Sequence, residues 1–310
     1  MRIAAAKYAI GRPASFAAFA DRQRRLLEGV AAQGAGIAVL PEYLSLELGA
    51  TFDDATAGDL HASLAAIQGY RDDWIALFSG IARDTGMTIA AGTFLLGIGK
   101  GRYRNRADLL LPGGGHAWQD KLQLTGFERQ AGVIDGGDAL KVFDAGDLRF
   151  GVAVCYDIEF PLPVRAQYEA GARLLLVPSC TDTAAGATRV RTGCLARALE
   201  NRCFVVQSVT AGEAPWSPAL DINTGEAAIF APMDAGFPAD GIVARTQGEE
   251  AWAIAEIDLA ALEASRASAQ VANDRDWRGQ LLPSLTTAKV EPVGAPSGAI
   301  PGESDARHRA

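Results

Sequence analysis

FGVAVCYDIEFPLPVRAQYEAGARLLLV, residues 150–177, sets an apolar run, a polar turn, a helical pattern and a second apolar run in one order. Phe150–Val154 reads as a strand, Pro163–Ala170 as a helix and Arg173–Val177 as another strand. Short continuous apolar runs bounded by turn residues suit buried strands, and the wider apolar spacing between them suits a helix. Strand–helix alternation argues a layered α/β fold, with helices covering the faces of a sheet. Cys155 stands at the carboxyl end of the first strand, with the turn and helix beyond it.

The same alternation extends in both directions. Arg2–Ile10 reads as a strand, and Ser15 caps a helix to about Gln33 whose apolar face is Phe16, Phe19, Leu26, Leu27 and Val30. Gly36–Pro41 is a buried strand ending at Glu42, and Trp74, Ile75, Leu77, Phe78 and Ile81 mark a helix that Gly86 ends. Thr88–Phe94 and Ala107–Leu111 are strands, the second followed by a tight connection at Gly113–Gly115. Toward the C-terminus come a helix near Arg189–Arg202 and strands at Cys203–Val209, Ala227–Phe230 and Trp252–Ile257. No composition break divides 1–282, so one domain is expected there. From 283 to 310 the chain turns to Ser, Thr, Pro, Gly and Ala without periodicity, as in a loose tail or one lying along a partner subunit.

Composition narrows the function classes. The chain of 310 residues is 49% hydrophobic, and its 29 Lys and Arg against 37 Asp and Glu give a net charge of −8. No basic block is present to neutralise phosphates, which argues against nucleic acid as a partner. No apolar run reaches the roughly 20 residues of a spanning helix, and the opening MRIAAAKYAI lacks the pattern of a signal peptide. A cytoplasmic setting with reduced thiols is therefore expected for Cys155, Cys180, Cys194 and Cys203. No metal-ligand spacing, G-x-G-x-x-G or P-loop occurs, so neither metal nor cofactor is expected.

Three segments put reactive side chains at or near strand ends. Glu42 follows VLP, where partial burial would raise its pKa into the range of a general base. Lys121, in QDKLQLTGFE, could supply a fixed positive charge to an oxyanion. Cys155 could project its sulfur beyond the sheet, where sites of open α/β folds lie, with the next peptide N–H facing the same oxygen. Alone, each has a plain alternative: a loop-edge acid, a solvated lysine, a small buried thiol. Cys–His chemistry is a poor competitor, since His61 and His116 flank no site motif and His308 lies in the tail.

Together the segments resemble the nitrilase superfamily, the carbon–nitrogen hydrolases, whose hallmark is Glu, Lys and Cys in that order on strand ends. The resemblance runs from the first strand to Asp276-Trp277-Arg278 and includes Ala196-Arg-Ala-Leu-Glu-Asn201. It implies a four-layer α-β-β-α sandwich that pairs between subunits into a longer αββααββα homodimer or larger oligomer. It also implies Cys155 as nucleophile, Glu42 as general base, and Lys121 with the Tyr156 N–H as oxyanion donors. Glu128 matches a second pocket carboxylate. Pro178–Arg191, with Ser179, Cys180, Thr181 and Asp182, and the Ala214–Asp221 loop with Trp216 are expected to complete the substrate pocket.

Cys-Tyr-Asp at 155–157 is the pattern of amide-cleaving branches, while Leu122–Glu128 looks partly like the nitrile-cleaving branch. Glu159 stands where many amidase-type relatives carry Arg, so an ion pair of theirs is expected to be missing or reversed. The expected activity is hydrolysis of a small aliphatic or carboxylated primary amide, with a nitrile as the alternative substrate. An N-acyltransferase and a non-catalytic interaction module are the readings from other classes.

Overall fold

The structure is a computed structural model that describes residues 1–146, 148–291 and 293. Residues Met1–Asp274 form one compact unit and the chain from Arg275 another. The second unit contributes a 3-10 turn at Trp277–Leu281 and a short helix at Pro283–Thr286. The expected loose tail at 283–310 falls largely outside the described residues, which omit 292 and 294–310.

The first unit opens with β1 (Arg2–Ala9), α1 (Phe16–Ala31) and β2 (Ile37–Leu40), then α2 (Asp54–Ala57), α3 (Leu60–Ile67) and α4 (Arg71–Thr85). There follow β3 (Thr88–Gly99), β4 (Arg102–Leu110), β5 (His116–Asp120), α5 (Gly126–Ala131), β6 (Ile134–Asp135), β7 (Val142–Asp144) and β8 (Arg149–Val152). The rest comprises α6 (Pro161–Glu169), β9 (Leu174–Ser179), α7 (Ala184–Asn201), β10 (Phe204–Glu213), β11 (Ile222–Asn223), β12 (Ala228–Phe230), β13 (Ile242–Arg245), β14 (Trp252–Glu256) and α8 (Leu259–Ser265).

The main path of the sheet is β5-β4-β3-β2-β1-β10-β9-β8-β7, and β1 joins its halves. Its first part, Ile3–Ala5, runs parallel to Ile37–Val39 of β2, and its last part, Lys7–Ala9, runs parallel to Val209–Ala211 of β10. Strand parity then sorts the core, because successive side chains point to opposite faces. Ile3, Ala5, Ile37 and Val39 pack in one cluster with Phe150, Leu176 and Val206, which also takes in Val164, Val190 and Cys194 of α6 and α7. Ala4, Ala6, Ala38 and Leu40 pack in the other with Phe19, Leu27, Trp74 and Phe78 of α1 and α4. Helix, sheet, sheet and helix are thus stacked in the α-β-β-α order, a mixed α/β fold.

Local chemistry starts and stops the helices as the sequence indicates. The Ser15 hydroxyl accepts from Ala18 N at 3.2 Å to begin α1, and Gly86 at φ 74° ends α4. Trp74 and Phe78 meet edge-on with ring centroids 4.8 Å apart, and burying each such side chain is worth about 1.5–3 kcal/mol. Several boundaries differ from expectation: β3 runs on to Gly99, β4 starts at Arg102 and β10 extends to Glu213. α7 begins at Ala184, where the Thr183 hydroxyl accepts from Gly186 N, and β8 ends at Val152, before Cys155. The early turns of α7, AAGAT, carry too little apolar contrast to show a helical period.

Candidate active site

β2 delivers Glu42, β5 delivers Lys121, β8 delivers Cys155 and β9 delivers Cys180, each just past the carboxyl end of its strand. That placement follows the rule for sites in open α/β sheets. The Glu42 turn is set by β3. Gly92 has φ 72°, and a Cβ there would lie 2.3 Å from the Pro41 carbonyl oxygen, so only glycine lets the strands approach. Tyr43 N donates to Thr93 Oγ1 at 2.8 Å, and Tyr43 itself takes a left-handed φ of 61°. This backbone sends the carboxylate of Glu42 inward.

Glu42, Lys121 and Glu128 form one buried ionic group. Lys121 Nζ lies 2.8 Å from Glu42 Oε1 and 2.9 Å from Glu128 Oε2, with all three side chains at most 1% exposed. Asn105 Nδ2 on β4 donates to Glu42 at 2.8 Å and to Glu128 at 3.2 Å. Cys180 N donates to Glu42 Oε2 at 3.1 Å, and Thr125 N to Glu128 Oε2 at 2.8 Å, where Glu128 also completes the capping box of α5. These bonds offset the desolvation that buried charges incur.

The shared ammonium separates the two acids. Burial raises the pKa of Glu42 above the usual carboxylate value, against the pull of Lys121. Burial acts the same way on Glu128, but Lys121 and the Thr125 N–H outweigh it and hold that acid low. For Lys121, burial disfavours the charge, yet Glu42 and Glu128 keep its pKa above the ordinary lysine value. One carboxylate is tuned toward proton transfer and the other stays ionised, as in other paired-acid sites.

Cys155 begins the 3-10 turn Cys155–Glu159 with φ 48°, a left-handed conformation unusual for a residue with a Cβ. Its sulfur lies 3.4 Å from the Cys180 carbonyl oxygen, the residue is 4% exposed, and it shares the cavity with Glu42 and Lys121. Burial, then the negative charge of Glu42, pushes the thiol well above its usual pKa, so the resting group is SH. Asp157 ties this turn to the lysine loop. Its carboxylate accepts from Gln123 N at 2.7 Å, Leu122 N at 3.0 Å and Val154 N at 3.3 Å. Burial raises Asp157 to about 6, against those three donors.

A cavity of about 430 Å³ opens onto these groups and is lined by Glu42, Lys121, Cys155, Tyr156, Cys180 and Thr181. Glu128 sits behind Lys121, bonded to it. Two of the expected pocket residues lie elsewhere. Ser179 is the last residue of β9 and is fully buried, its hydroxyl donating to Val177 O at 3.2 Å. Trp216 packs on the core beneath α1 and α4, while its loop reaches the cavity through Pro218, Ala219 and Asp221. The expected change at Glu159 is met by Arg189 of α7, whose Nε lies 3.6 Å from Glu159 Oε1.

Asn105, Tyr43 and Asp157 are the site residues that sequence reading missed, while Arg189 falls within the 178–191 segment expected to complete the pocket. The signal for Asn105 was available: it shares parity with buried Tyr103 and Ala107 on β4, so it points inward. Asp157 was noted only as part of a motif.

Residues 2–267 match the carbon-nitrogen hydrolase family. A probable hydrolase of Bacillus subtilis, YhcX, is 31% identical over 90% of this chain, which spans only 54% of that protein's length. The chloroplastic omega-amidase of Arabidopsis thaliana is 26% identical over 86% of the chain and 70% of its own. In fold, the chain resembles Saccharomyces cerevisiae Nit3, a member of the nitrilase superfamily, with a TM-score of 0.70 at 19% identity, covering 89% of this chain and 96% of that one. A C145A mutant of the Nesterenkonia AN1 amidase superposes with a TM-score of 0.64 at 23% identity, covering 89% and 97%. By family match over most of its length, and by a shared fold, the chain belongs to the carbon-nitrogen hydrolases.

Proposed function

We propose that the chain hydrolyses a small primary amide through a thioester on Cys155. The observation that carries this reading is the convergence of Cys155, Glu42 and Lys121 on one cavity, with Lys121 bridging Glu42 and Glu128. Amidase names among the relatives support the amide, and the Cys-Tyr-Asp run at the nucleophile supports it over a nitrile.

In this reading the Cys155 sulfur attacks the amide carbon as its proton passes to Glu42. The oxygen of the tetrahedral adduct takes negative charge beside the Lys121 ammonium and the Tyr156 N–H, in a site where water cannot screen them. Glu42 returns the proton to the departing nitrogen, and ammonia leaves. A water, activated by the same carboxylate, then attacks the thioester, and the acid departs as the Cys155 thiol is restored. Glu128 keeps Lys121 charged and aimed. As a further part of the proposal, two copies pair through their outer helices, where Leu162 of α6 is 66% exposed. Light scattering at micromolar concentration tests that pairing; a strict monomer rejects it.

The activity is tested by ammonia release from matched amide and nitrile pairs, with Cys155→Ala as control. The amide should exceed its nitrile by at least about tenfold in kcat/KM, roughly 1.4 kcal/mol in barrier. A preferred nitrile, or turnover undiminished by Cys155→Ala, contradicts the reading.

A further inference from the structure

The cavity mouth carries charge that the chemistry proposed for Cys155 does not use. Besides Glu42 and Lys121, the lining includes Glu159, Asp182, Arg189 and Asp221. Arg189 is the one guanidinium of that lining, and Glu159 already engages it at 3.6 Å. Asp182 follows β9 and Asp221 precedes β11, both with exposed side chains, and neither is ion-paired among the described residues. At the inner end, the Lys121 ammonium is likewise offset, held between two carboxylates.

A substrate carboxylate would therefore meet one guanidinium shared with Glu159, and two acids without an ion-pair partner. A cationic group would meet the same charges with attraction and repulsion exchanged. Phe127, Val190, Pro218 and Ile222 of the same lining are apolar and suit a short methylene chain. A cavity of this size is near the lower end for small-molecule sites, so such a chain is short. Opposite charges at a partly open mouth attract through a dielectric between those of water and interior, enough to select among otherwise equal substrates.

Building on the amidase reading above, we propose that the preferred substrate is an aliphatic primary amide whose far end bears a positive charge, held at the mouth by Asp182 and Asp221. The amide carbonyl sits at Cys155 and the ammonium or guanidinium at the rim. Arg189, shared with Glu159, offers anionic analogues only a partly offset charge.

The test uses the purified full chain and three amides of equal length: 5-aminopentanamide, pentanamide and the monoamide of glutaric acid. Ammonia release should give kcat/KM highest for the cation, at least about tenfold above the neutral amide, and lowest for the anion. The cation-to-neutral ratio, in which losses common to both substrates cancel, should fall toward one in Asp182→Asn/Asp221→Asn. It should also shrink as salt rises, since exposed charges are screened. In Glu159→Gln the anion should gain on the neutral amide, because Arg189 is released. A cation no better than pentanamide, or an anion preferred, overturns the substrate assignment while leaving amide hydrolysis in place. Absence of Cys155-dependent ammonia release from all three overturns the amidase reading and this assignment with it.

Discussion

The Lys121 ammonium stands 2.8 Å from Glu42 Oε1 with both side chains about 1% exposed, and this pair fixes the electrostatics of the site. A second acid, Glu128, closes on the same nitrogen at 2.9 Å. Removing the cation leaves two buried carboxylates with N–H donors but no counter-charge. Lys121→Ala should therefore cost about 3–5 kcal/mol in stability, the usual penalty for breaking a buried pair. If Lys121 also holds the oxyanion, kcat should fall by about 10²-fold or more in the folded fraction. Lys121→Arg should not restore it, because the planar fork is larger and aimed differently. Denaturation curves and steady-state kinetics on one preparation check both. An alanine variant within a few-fold of the parent in kcat would return Lys121 to a structural role.

If Glu42 is the general base proposed above, it sets the acid limb of activity. Burial lifts the pKa of Glu42 above the ordinary carboxylate value, and the base works only when ionised. Activity should thus be lost as pH falls, and lost at a higher pH than an exposed glutamate would give. The profile of kcat/KM reports that ionisation in the free enzyme. Glu42→Gln should abolish turnover; a variant that keeps both activity and the same limb would assign the base to another group.

Asp157 joins the two loops that carry Lys121 and Cys155, through N–H groups at 122, 123 and 154. Asparagine keeps the shape but turns an NH₂ toward those donors, costing about 1–3 kcal/mol. Asp157→Asn should lower kcat more than it raises KM, since it loosens the aim of groups that act in the transition state. Its effect on stability should depend on pH. Folding raises Asp157 from 3.8 to about 6, so between those values the folded state holds more protons than the unfolded one. Stability from this group is full below pH 3.8 and is lost as pH rises through 6. The gap between parent and Asp157→Asn should accordingly be wider at pH 4.5 than at pH 7.5. A gap that widens toward pH 7.5 would show that the three N–H donors, not burial, dominate.

What could be read from the chain, and what could not, follows from how each side chain is presented. Glu42 and Cys155 each follow an apolar run, which made them candidates, and the Glu, Lys and Cys order then singled them out. Asn105 was hidden because its strand, RYRNRADLL, alternates arginines with its buried residues and so looks polar. Ser179 and Cys180 are neighbours, yet only Cys180 faces the cavity; one step along a strand end reverses the face. Arg189 was assigned to a helix start, whereas α7 begins at Ala184 and carries it over the mouth. Its pairing with Glu159 depends on two segments 30 residues apart in sequence and had no local signal.

Alkylation should rank the four thiols. Cys155 and Cys180 line the cavity, while Cys194 and Cys203 are buried in the core. Burial pushes all four thiols up, Cys180 and Cys203 to about 12, so thiolate fraction in the resting protein does not rank them. Cys155 has Glu42 to take its proton and Lys121 to support the anion, and iodoacetamide should label it first. Peptide mapping in which Cys155 is the slowest of the four would contradict the assignment of nucleophile.

The central claim is that an acyl group passes from nitrogen to the Cys155 sulfur. Its most direct test is a rapid-quench experiment with a primary amide, following ammonia release and, by peptide mass mapping, the acyl adduct. The account predicts an adduct of acyl mass on the peptide that carries Cys155, formed together with the first equivalent of ammonia and absent from Cys155→Ala. Ammonia released at full rate by Cys155→Ala, or an adduct on another residue, would contradict it.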